Sequence, residues 1–441
     1  MSEDATLDEF VNEGMESKPS DRWAVRELSE VTDVTMGSSP KSKYYNEDGD
    51  GIPFFQSNNE FGERYPQHDR WCSNPRKIAQ EGDLLMTIRG TYVGQMNIAD
   101  RESCIGRGLA GITPGEKVNG EFLFQQLNQI EPFVKSIAIG STFDSISSAE
   151  INSLEIDLPP LSEQRKIATV LYTVDRAIEK TEKIITQSER VREGITQDIF
   201  TTGYYDHSEY SDVRLGPVKT SAPKDWSIKS IPDYFEIIDG DRGKNYPSGS
   251  DFSDQGYCLF LSATNVTEEG LKFEETEFIT QEKDEELRKG KLKRGDVIMT
   301  TRGTVGNFGL YDESVDYDNV RINSGMVILR PKDSISTVKY YYHLFRSGIF
   351  QRQINATSYG TAQPQTSVTD IKKMGILEPS ENEKNHIYRL IENIVSEIQT
   401  QKEYRNQLQQ MKRGLMQDLL SGIVRTTDTN IRVSDKIAQH G

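Results

Sequence analysis

The sequence predicts an α+β fold: two pseudo-repeated mixed α/β domains separated by an antiparallel pair of long coiled-coil helices. Three observations predict it. An internal repeat runs nearly end to end, the first part of each copy contains short alternating strand-like runs, and the second part carries a proline-free apolar heptad pattern. A chain of 441 residues has room for two or three domains of ordinary size.

The repeat is visible as matching segments. Residues 82–91 reappear at 295–304 with an offset of 213, and residues 140–151 reappear at 360–371 with an offset of 220. Self-similarity over such a length predicts a repeated structural unit, so each copy is expected to fold in the same way.

Composition divides the chain into segments of different character. The α/β domains are rich in Gly, Tyr and Phe, and helices are expected within them near 121–137 and 336–356. The predicted segments are an acidic, disordered tail (1–20), a first α/β domain (21–160), a first long helix (161–202), a polar connector (203–223), a second α/β domain (224–380), a second long helix (381–422) and a C-terminal segment (423–441).

Both long helices carry apolar residues at spacings that alternate between three and four, the pattern of a coiled-coil seam. Ser162 and Asn382 are the candidate N-caps, and each helix would be about 57 Å long at about 1.5 Å per residue. Spacing alone leaves open the alternative that each helix packs only on its own domain. The residues expected to pair the helices are Ile167, Leu171, Val174, Ile178, Ile185, Ile387, Ile391, Ile394, Ile398 and Leu408.

Charge and cysteine content restrict the function. The chain has 52 basic and 69 acidic residues and a net charge of −17, so contact with a polyanion must be local. Basic residues concentrate in 288–302. The three cysteines are too far apart in sequence to indicate a disulfide framework or a zinc site. Apolar runs are too short to span a membrane and residues 1–20 are unlike a signal peptide, so a cytoplasmic protein without membrane contact is expected.

Catalytic motifs are missing from the sequence. It contains neither a phosphate-binding Gly-x-x-x-x-Gly-Lys loop nor a His-Glu-x-x-His zinc motif, which favours recognition over catalysis and predicts that the chain holds no metal. Asp370 and Lys372 have the Asp-x-Lys spacing of metal-dependent nucleases. Their equivalents in the first copy are Glu150 and Asn152, and the missing lysine argues against a nuclease.

Several segments, in this order, resemble the specificity subunits of type I restriction-modification systems. They are Gly-Ser-Ser-Pro at 37–40, Gly-Ile-Pro-Phe-Phe at 51–55, Gly-Asp-Leu-Leu at 82–85 and Pro-Pro-Leu-Ser-Glu-Gln-Arg-Lys-Ile-Ala at 159–168. The second copy is similar but altered, with Glu-Pro-Ser-Glu-Asn-Glu-Lys at 378–384. The resemblance covers about 21–425 and implies that the two α/β domains are target recognition domains.

The resemblance implies a non-catalytic subunit that gives a restriction system its DNA sequence specificity in defence against foreign DNA. Each target recognition domain would read one half-site of a bipartite double-stranded target, and the paired helices would set the distance between half-sites. The subunit would dock two methyltransferase (modification) subunits and restriction/translocase subunits. No cofactor is expected in this chain; S-adenosylmethionine, ATP and Mg²⁺ would belong to the partner subunits.

Other interpretations remain open at this point. The chain could serve a related methylation or defence system without a separate cutting subunit, or it could be a non-catalytic coiled-coil scaffold that binds protein. The acidity could reflect a host with high internal salt, where attraction to phosphate is screened, or partner subunits that supply most of the basic channel.

Arg, Lys, Asn and Gln are the side chains that read base edges in the major groove. Lys41, Lys43 and the 288–302 cluster are expected to contact phosphate, while Arg89 and Arg302 either contact DNA or brace a turn. The DNA-binding candidates in the first domain are Lys41, Lys43, Tyr44, Ser57, Asn58, Asn59, Arg89 and Thr142. Those in the second domain are Arg242, Lys244, Tyr246, Thr264, Asn265, Lys291, Lys293, Arg302, Thr361, Gln363 and Gln365.

Overall fold

The chain forms two compact units. The computed structural model describes residues 23–138, 144–332, 338–358 and 364–439, so the predicted acidic tail lies outside the described residues. The first unit takes 1–183 together with 401–441, and the second unit takes 184–400. Each unit therefore contains one α/β domain and one part of each long helix.

The first unit is built on a four-stranded antiparallel sheet in the order Thr32–Met36, Leu109–Pro114, Leu84–Thr87, Met96–Ile98. A five-stranded sheet and a two-stranded ribbon flank it. The other strands are Ala24–Glu27, Tyr45–Asn46, Ile52–Phe55, Trp71–Cys72, Ile78–Ala79, Ser103–Ile105 and Glu155–Leu158. The shorter helices are Leu28–Glu30, Ser42–Tyr44, Asn58–Glu60, Gly120–Gln129, Glu131–Ala138, Ser148–Asn152 and Asp435–Gln439.

The second unit repeats this sheet. Its four-stranded antiparallel order is Phe235–Asp239, Met326–Pro331, Asp296–Thr300, Phe308–Tyr311. The other strands are Tyr210–Leu215, Val218–Pro223, Ser227–Ser230, Cys258–Leu261, Val266–Thr267, Gly270–Leu271, Phe278–Ile279, Val320–Ile322 and Gly375–Glu378. The shorter helices are Ile231–Tyr234, Gly249–Asp251, Ala263–Asn265, Gln281–Glu286, Val338–Arg346, Gly348–Thr357 and Val368–Ile371.

A parallel strand pair also recurs beside each four-stranded sheet. Ile52–Phe55 pairs in parallel with Ser103–Ile105 in the first unit, and Cys258–Leu261 pairs in parallel with Val320–Ile322 in the second. The duplicated sequence therefore folds twice into the same mixed arrangement, as predicted. One addition is a β-hairpin within the connector, where Tyr210 lies opposite Pro223.

The long helices are Leu161–Thr202 and Glu381–Leu420, of 42 and 40 residues. Their first helical residues are Leu161 and Glu381, which places Ser162 and Asn382 inside the first turn. The prediction that these two residues are N-caps is wrong, because the helical backbone already includes them. At the second helix Ser380 caps instead, its Oγ accepting from Glu383 N at 3.3 Å.

The helices pack against each other in both units. In the first unit, Leu171 near the start of the first helix shares a buried cluster with Leu419 near the end of the second. In the second unit, Ile199 near the end of the first helix shares a cluster with Ile387 near the start of the second. In both units the start of one helix packs against the end of the other, so the helices run antiparallel, as predicted.

The pairing residues divide by exposure. Ile178 and Ile394 are half-buried. The buried members are Ile167, Leu171, Val174, Ile185, Ile387, Ile391, Ile398 and Leu408. The same clusters contain sheet residues, such as Ile112 in the first unit and Leu329 in the second. Each helix thus packs on an α/β domain as well as on its partner helix. The spacing left open whether the helices pair with each other or pack on a domain, and in the structure they do both. Among the described helices, none is both long and apolar enough to cross a lipid bilayer.

Candidate nucleic-acid interface

Loops of the first unit meet at one edge of its sheets. Ser38 N donates to Ile105 O at 3.0 Å, and Gly106 N donates to Phe55 O at 2.7 Å. These backbone bonds hold loops from three different parts of the sequence side by side. We call this edge the first rim, which consists of residues 37–44, 56–59, 88–92, 106–108 and 144–146.

Arg89 lies on a turn that is tied into the first rim. Gly90 N donates to Asp144 O at 2.8 Å, and Arg89 forms an isolated β-bridge with Ser145. Gly90 has a φ of 85°, a left-handed conformation that favours glycine. The Arg89 side chain is exposed. The backbone therefore braces the turn, and the guanidinium remains accessible to a ligand.

The second unit repeats this turn at Arg302. Arg302 forms an isolated β-bridge with Gln365, the residue equivalent to Ser145 at the offset of 220. Gly303 N donates to Pro364 O at 3.2 Å. Arg302 is exposed and Gln365 is half-buried. Two equivalent turns thus present an exposed arginine in the same structural setting.

The remaining loops of the second unit gather around Ser324. Its carbonyl accepts from Arg242 Nη2 at 3.1 Å, and its N–H donates to the Tyr246 hydroxyl at 3.4 Å. Arg242 also contacts Asp239 Oδ1 at 3.1 Å, and Lys244 is exposed on the same loop. We call this edge the second rim, which consists of residues 239–246, 262–264, 288–290, 301–305, 323–325 and 364–366.

The lysines predicted in the first domain lie on the first rim. Lys41 and Lys43 are exposed; Lys41 precedes a short 3₁₀ turn, Ser42–Tyr44, and Lys43 lies within it, with its Nζ 4.8 Å from the centroid of the Tyr44 ring. Tyr44 is half-buried. Thr142 lies outside the described residues.

Ser57 begins a second 3₁₀ turn on this rim. Its Oγ accepts from Asn59 N at 3.3 Å, and its N–H donates to Glu60 Oε2 at 3.1 Å. Asn58 is half-buried and Asn59 is exposed. Ser57 therefore shapes the turn that presents Asn59, and its own hydroxyl is engaged within the loop.

Asn265 is not on the surface. Only 3% of the residue is exposed, and its amide donates to Lys272 O at 3.0 Å and Glu275 O at 2.7 Å. Its Oδ1 accepts from Ser262 N at 2.9 Å. Asn265 therefore holds a loop together and is not placed to reach DNA. Thr264 beside it is exposed.

Lys291 is also engaged within the fold. Its ammonium forms an ion pair with Asp284, which also pairs with the buried Arg321. Burial raises the pKa of Asp284, but hydrogen bonds from Lys291 and Arg321 outweigh burial and leave the pKa below its ordinary value. The basic cluster at 288–302 is thus partly structural.

Arg294 of that cluster is half-buried and donates to Asp312 O and Val315 O, whereas other members face solvent. Arg288, Lys289 and Lys293 are exposed, and the first two lie on the second rim. Thr361 and Gln363 lie outside the described residues. Sequence reasoning missed Arg107, which is exposed on the first rim. The signal that could have found it is the glycine on each side, Gly106 and Gly108, which lets the loop approach its neighbour closely.

The Asp-x-Lys spacing at 370–372 has a structural explanation. Asp370 N donates to Ser367 Oγ at 3.1 Å, and Ser367 Oγ donates to Asp370 Oδ2 at 2.6 Å, so Asp370 closes a helix cap. Ser147 and Glu150 form the equivalent capping box in the first unit. Within the described part of the chain, no group of three or more His, Cys, Asp and Glu side chains could hold a metal ion.

Glu163, at the start of the first long helix, holds the C-terminal segment to the first unit. Arg425 Nε and Nη2 donate to its two carboxylate oxygens, both at 2.9 Å, and Thr426 N donates at 3.1 Å. Burial raises the pKa of Glu163, but these hydrogen bonds outweigh burial and leave the pKa below its ordinary value. A bidentate guanidinium–carboxylate pair is among the stronger polar contacts in proteins.

Glu383, the equivalent residue of the second helix, holds the connector to the second unit. It accepts from Tyr204 N at 2.9 Å and from Trp226 Nε1 at 3.0 Å, and it pairs with His207 Nε2 at 3.0 Å. His207 Nδ1 is 3.1 Å from Asp225 Oδ1. The two long helices thus carry equivalent glutamates, and each glutamate anchors the segment that follows the other helix.

The altered motif at 378–384 forms a charged network in the second unit. Lys384 is buried, and its ammonium lies 2.5 Å from Glu378 Oε1 and 3.4 Å from the Tyr341 hydroxyl. It also pairs with Glu381. The carboxylates compensate the buried ammonium, so the departure from the first copy is a coordinated change of several residues.

The first copy has uncharged residues at the positions equivalent to this network. Gln164 is the equivalent of Lys384, and Leu158 and Leu161 are the equivalents of Glu378 and Glu381. Gln164 is also buried, with its Oε1 accepting from Asn119 N at 2.8 Å and its Nε2 donating to the Pro159 carbonyl at 2.8 Å.

A family model described as the type I restriction modification DNA specificity domain matches the chain twice, at 20–190 and 223–410. These matches cover most of the sequence, and the chain belongs to this family, which confirms the resemblance carried by its motifs. Two relatives are specificity subunits from Methanocaldococcus jannaschii. The MjaIX subunit is 22% identical over 434 residues, 95% of this chain and 97% of the relative. The putative MjaX subunit is 39% identical over 182 residues, 41% of this chain and 43% of the relative.

Solved structures agree with the fold. The S subunit of a type I restriction-modification system from M. genitalium covers 92% of this chain and 98% of its own, at 12% identity and a TM-score of 0.58. A second match comes from a structure of complex assembly and conformational transition in a type I restriction-modification system. The match covers 91% of this chain and 98% of the other chain, at 15% identity and a TM-score of 0.56. The predicted pair of mixed α/β domains with long antiparallel helices is thereby confirmed.

Proposed function

We propose that this chain reads a bipartite DNA target, with one half-site bound by each rim. The observation that carries the proposal is the rim built twice, each time with an exposed arginine on the same braced turn, at Arg89 and Arg302. Two similar modules in one chain suit a target with two half-sites, as paired modules do in other DNA-binding proteins.

Contacts to phosphate and contacts to bases have different consequences. Lys41 and Lys43 on the first rim and Arg288 and Lys289 on the second are exposed cations next to loops that carry amide or hydroxyl side chains. Phosphate contacts fix register, whereas base contacts specify sequence. The cations would position the duplex, and neighbouring polar side chains such as Asn59 would read it.

The overall acidity is compatible with this proposal because DNA binding depends on the local field. The chain carries a net charge of −17, but the two rims together carry nine exposed lysines and arginines against one exposed carboxylate, Asp144. We expect binding of the isolated chain to weaken steeply with salt, with partner subunits adding cationic surface.

The partner subunits would supply the chemistry. We propose that two methyltransferase subunits bring S-adenosylmethionine, and that restriction/translocase subunits bring ATP and Mg²⁺. The relatives that support this are named as specificity subunits of type I restriction enzymes.

The experiment that tests the proposal is methylation mapping of the genome with and without this gene. Loss of one bipartite adenine-methylated motif on deletion is the expected result. An unchanged set of motifs would contradict it. Capture of the chain without any methyltransferase, together with binding that shows no sequence preference, would favour a protein-binding scaffold.

The long helices would act as a ruler between half-sites. Deleting one heptad from the middle of each helix removes about 10 Å of length at about 1.5 Å per residue. With about 34 Å per turn of about 10 base pairs, that length corresponds to about 3 base pairs. We expect the spacer of the methylated motif to change by about this amount while both half-sites stay the same. An unchanged spacer in an assembled, active complex would exclude the ruler.

A further inference from the structure

The Arg-Gly turns of the two copies differ in length by one residue. Three residues lie between Gly90 and Gly94 in the first copy, whereas two lie between Gly303 and Gly306 in the second. The glycines that flank the turn match between the two copies, and all four have the left-handed conformation. The backbone of the two turns therefore differs in length alone.

The two turns are closed by the same backbone bonds. Gly94 N donates to Thr87 O at 2.9 Å, and Gly306 N donates to Thr300 O at 3.0 Å. A Cβ on Gly94 would lie 3.3 Å from Glu131 O, which shows how closely the turn packs on the following helix. The turn is thus fixed at its base in both copies, and the additional residue extends its tip.

The additional residue is Tyr92. Thr91 corresponds to Thr304, and Val93, of which 1% is exposed, corresponds to the partly buried Val305. Tyr92 is 59% exposed. A valine enters the core in both copies, while the first copy alone adds an aromatic ring on the solvent side.

The backbone of Tyr92 is held in place on the first rim. Its carbonyl accepts from Gln95 N at 3.1 Å, and Arg89, three residues earlier, is exposed on the same turn. A large ring on a braced turn loses little conformational freedom when it binds and gains from removal of its apolar surface from water. These are the properties of a contact residue.

We infer that Tyr92 makes an apolar base contact in the half-site read by the first domain, an inference that rests on the proposed function. Two rims that read different sequences must differ in their reading residues, whereas contacts to phosphate can be shared. Arg89 and Arg302 are shared, so they suit phosphate. Tyr92 is unique to one rim. The apolar group that a base edge offers in the major groove is the thymine methyl, and this is the group that Tyr92 contacts.

Methylation mapping of the assembled complex with variants of the full chain tests the inference. Tyr92→Ala should relax one position of the first half-site, with about a tenfold loss of discrimination there, and leave the second half-site unchanged. Tyr92→Phe retains the ring and should keep the wild-type motif. The matched control is Tyr404→Ala, since Tyr404 is 48% exposed in the same unit but lies on the second long helix.

A second measurement identifies the contacted group. Duplexes that carry uracil in place of thymine at the relaxed position lack only the methyl group. Wild-type complex should bind them about tenfold more weakly, and the Tyr92→Ala complex should not distinguish them from thymine. Thermal melting of each variant checks that the fold is intact.

The outcomes separate this inference from the proposed function. A wild-type complex without a bipartite motif overturns both. A wild-type bipartite motif that stays unchanged in Tyr92→Ala overturns the role of Tyr92 alone. Loss of methylation equally at all sites, or loss of the motif in Tyr92→Phe, also overturns an apolar base contact. Equal sensitivity of wild type and Tyr92→Ala to uracil does the same.

Discussion

The buried ammonium of Lys384 offers a direct test of how the second copy compensates for its altered motif. In Lys384→Gln the ammonium is removed, and the carboxylate of Glu378 stays in place. The Glu378 side chain is only 10% exposed, so it cannot be hydrated as it would be in the unfolded chain. We expect the second unit to be destabilised.

The magnitude follows from the contacts that remain. Removing one partner of a buried ion pair costs about 3–5 kcal/mol. Glu378 still accepts from the Tyr341 hydroxyl at 3.1 Å, and Glu381 is 69% exposed and can be hydrated. The loss should therefore lie at the low end, about 3 kcal/mol. For a unit of this size that corresponds to a fall in Tm of about 6–12 °C.

Thermal and urea unfolding of the full chain measures the effect, with Lys180→Gln, on an exposed helix position, as the matched control. The triple variant Glu378→Leu, Glu381→Leu, Lys384→Gln rebuilds the chemistry of the first copy and should recover most of the lost stability, because a well-packed apolar replacement of a buried ion pair is often neutral. Two results would refute the reasoning: a single variant as stable as the control, or a triple variant no more stable than the single one.

Two further predictions concern pH and salt. Burial lowers the pKa of His207, but the carboxylates of Glu383 and Asp225 outweigh burial and hold the pKa above its ordinary value, so the charged imidazole stabilises the second unit. That contribution is complete below about pH 6.5 and is lost as pH rises through the folded pKa. The difference in unfolding free energy between wild type and His207→Gln should accordingly shrink from about pH 6 to about pH 8 in denaturation experiments, and a difference that grows would contradict the pairing. Arg89→Ala and Arg302→Ala should each weaken DNA binding at all sequences and reduce the slope of log K against log salt by about 1, as measured by binding titrations in a salt series; a variant that relaxes one base position and keeps its slope would instead make that arginine a base reader.

The repeat and the long helices could be predicted because their signals are local. Heptad spacing at positions such as Leu171 and Ile387 reports a buried stripe directly, and both residues are buried. The altered motif in the second copy could not be interpreted from sequence in the same way. Its compensation depends on Tyr341, which lies about forty positions earlier in the chain and meets Lys384 only in the folded unit.

The candidate contact residues were harder to predict for a related reason. An asparagine on a loop can read a base or hold the loop, and composition gives the same signal for both. The sequence predicts a DNA contact for both Asn59 and Asn265. Asn59 is exposed, whereas the amide of Asn265 donates hydrogen bonds to two carbonyls of its own loop. Arg107 shows the reverse case: its sequence signal is only the pair of flanking glycines, Gly106 and Gly108, and the segment that they approach, at Gln56, is about fifty positions earlier in the chain.

The two copies differ in one way at buried positions and in another way at exposed positions. Inside, equivalent positions either keep the residue, as Glu163 and Glu383 do, or change together with their partners, as around Lys384. A change of one partner alone would leave a buried polar group uncompensated, and that constraint couples the interior positions. At the rim no such coupling acts on an exposed side chain, so the insertion of Tyr92 costs the fold little and alters only what the surface presents. The side chains that the rims present can therefore diverge while the anchors at the helix starts stay in place.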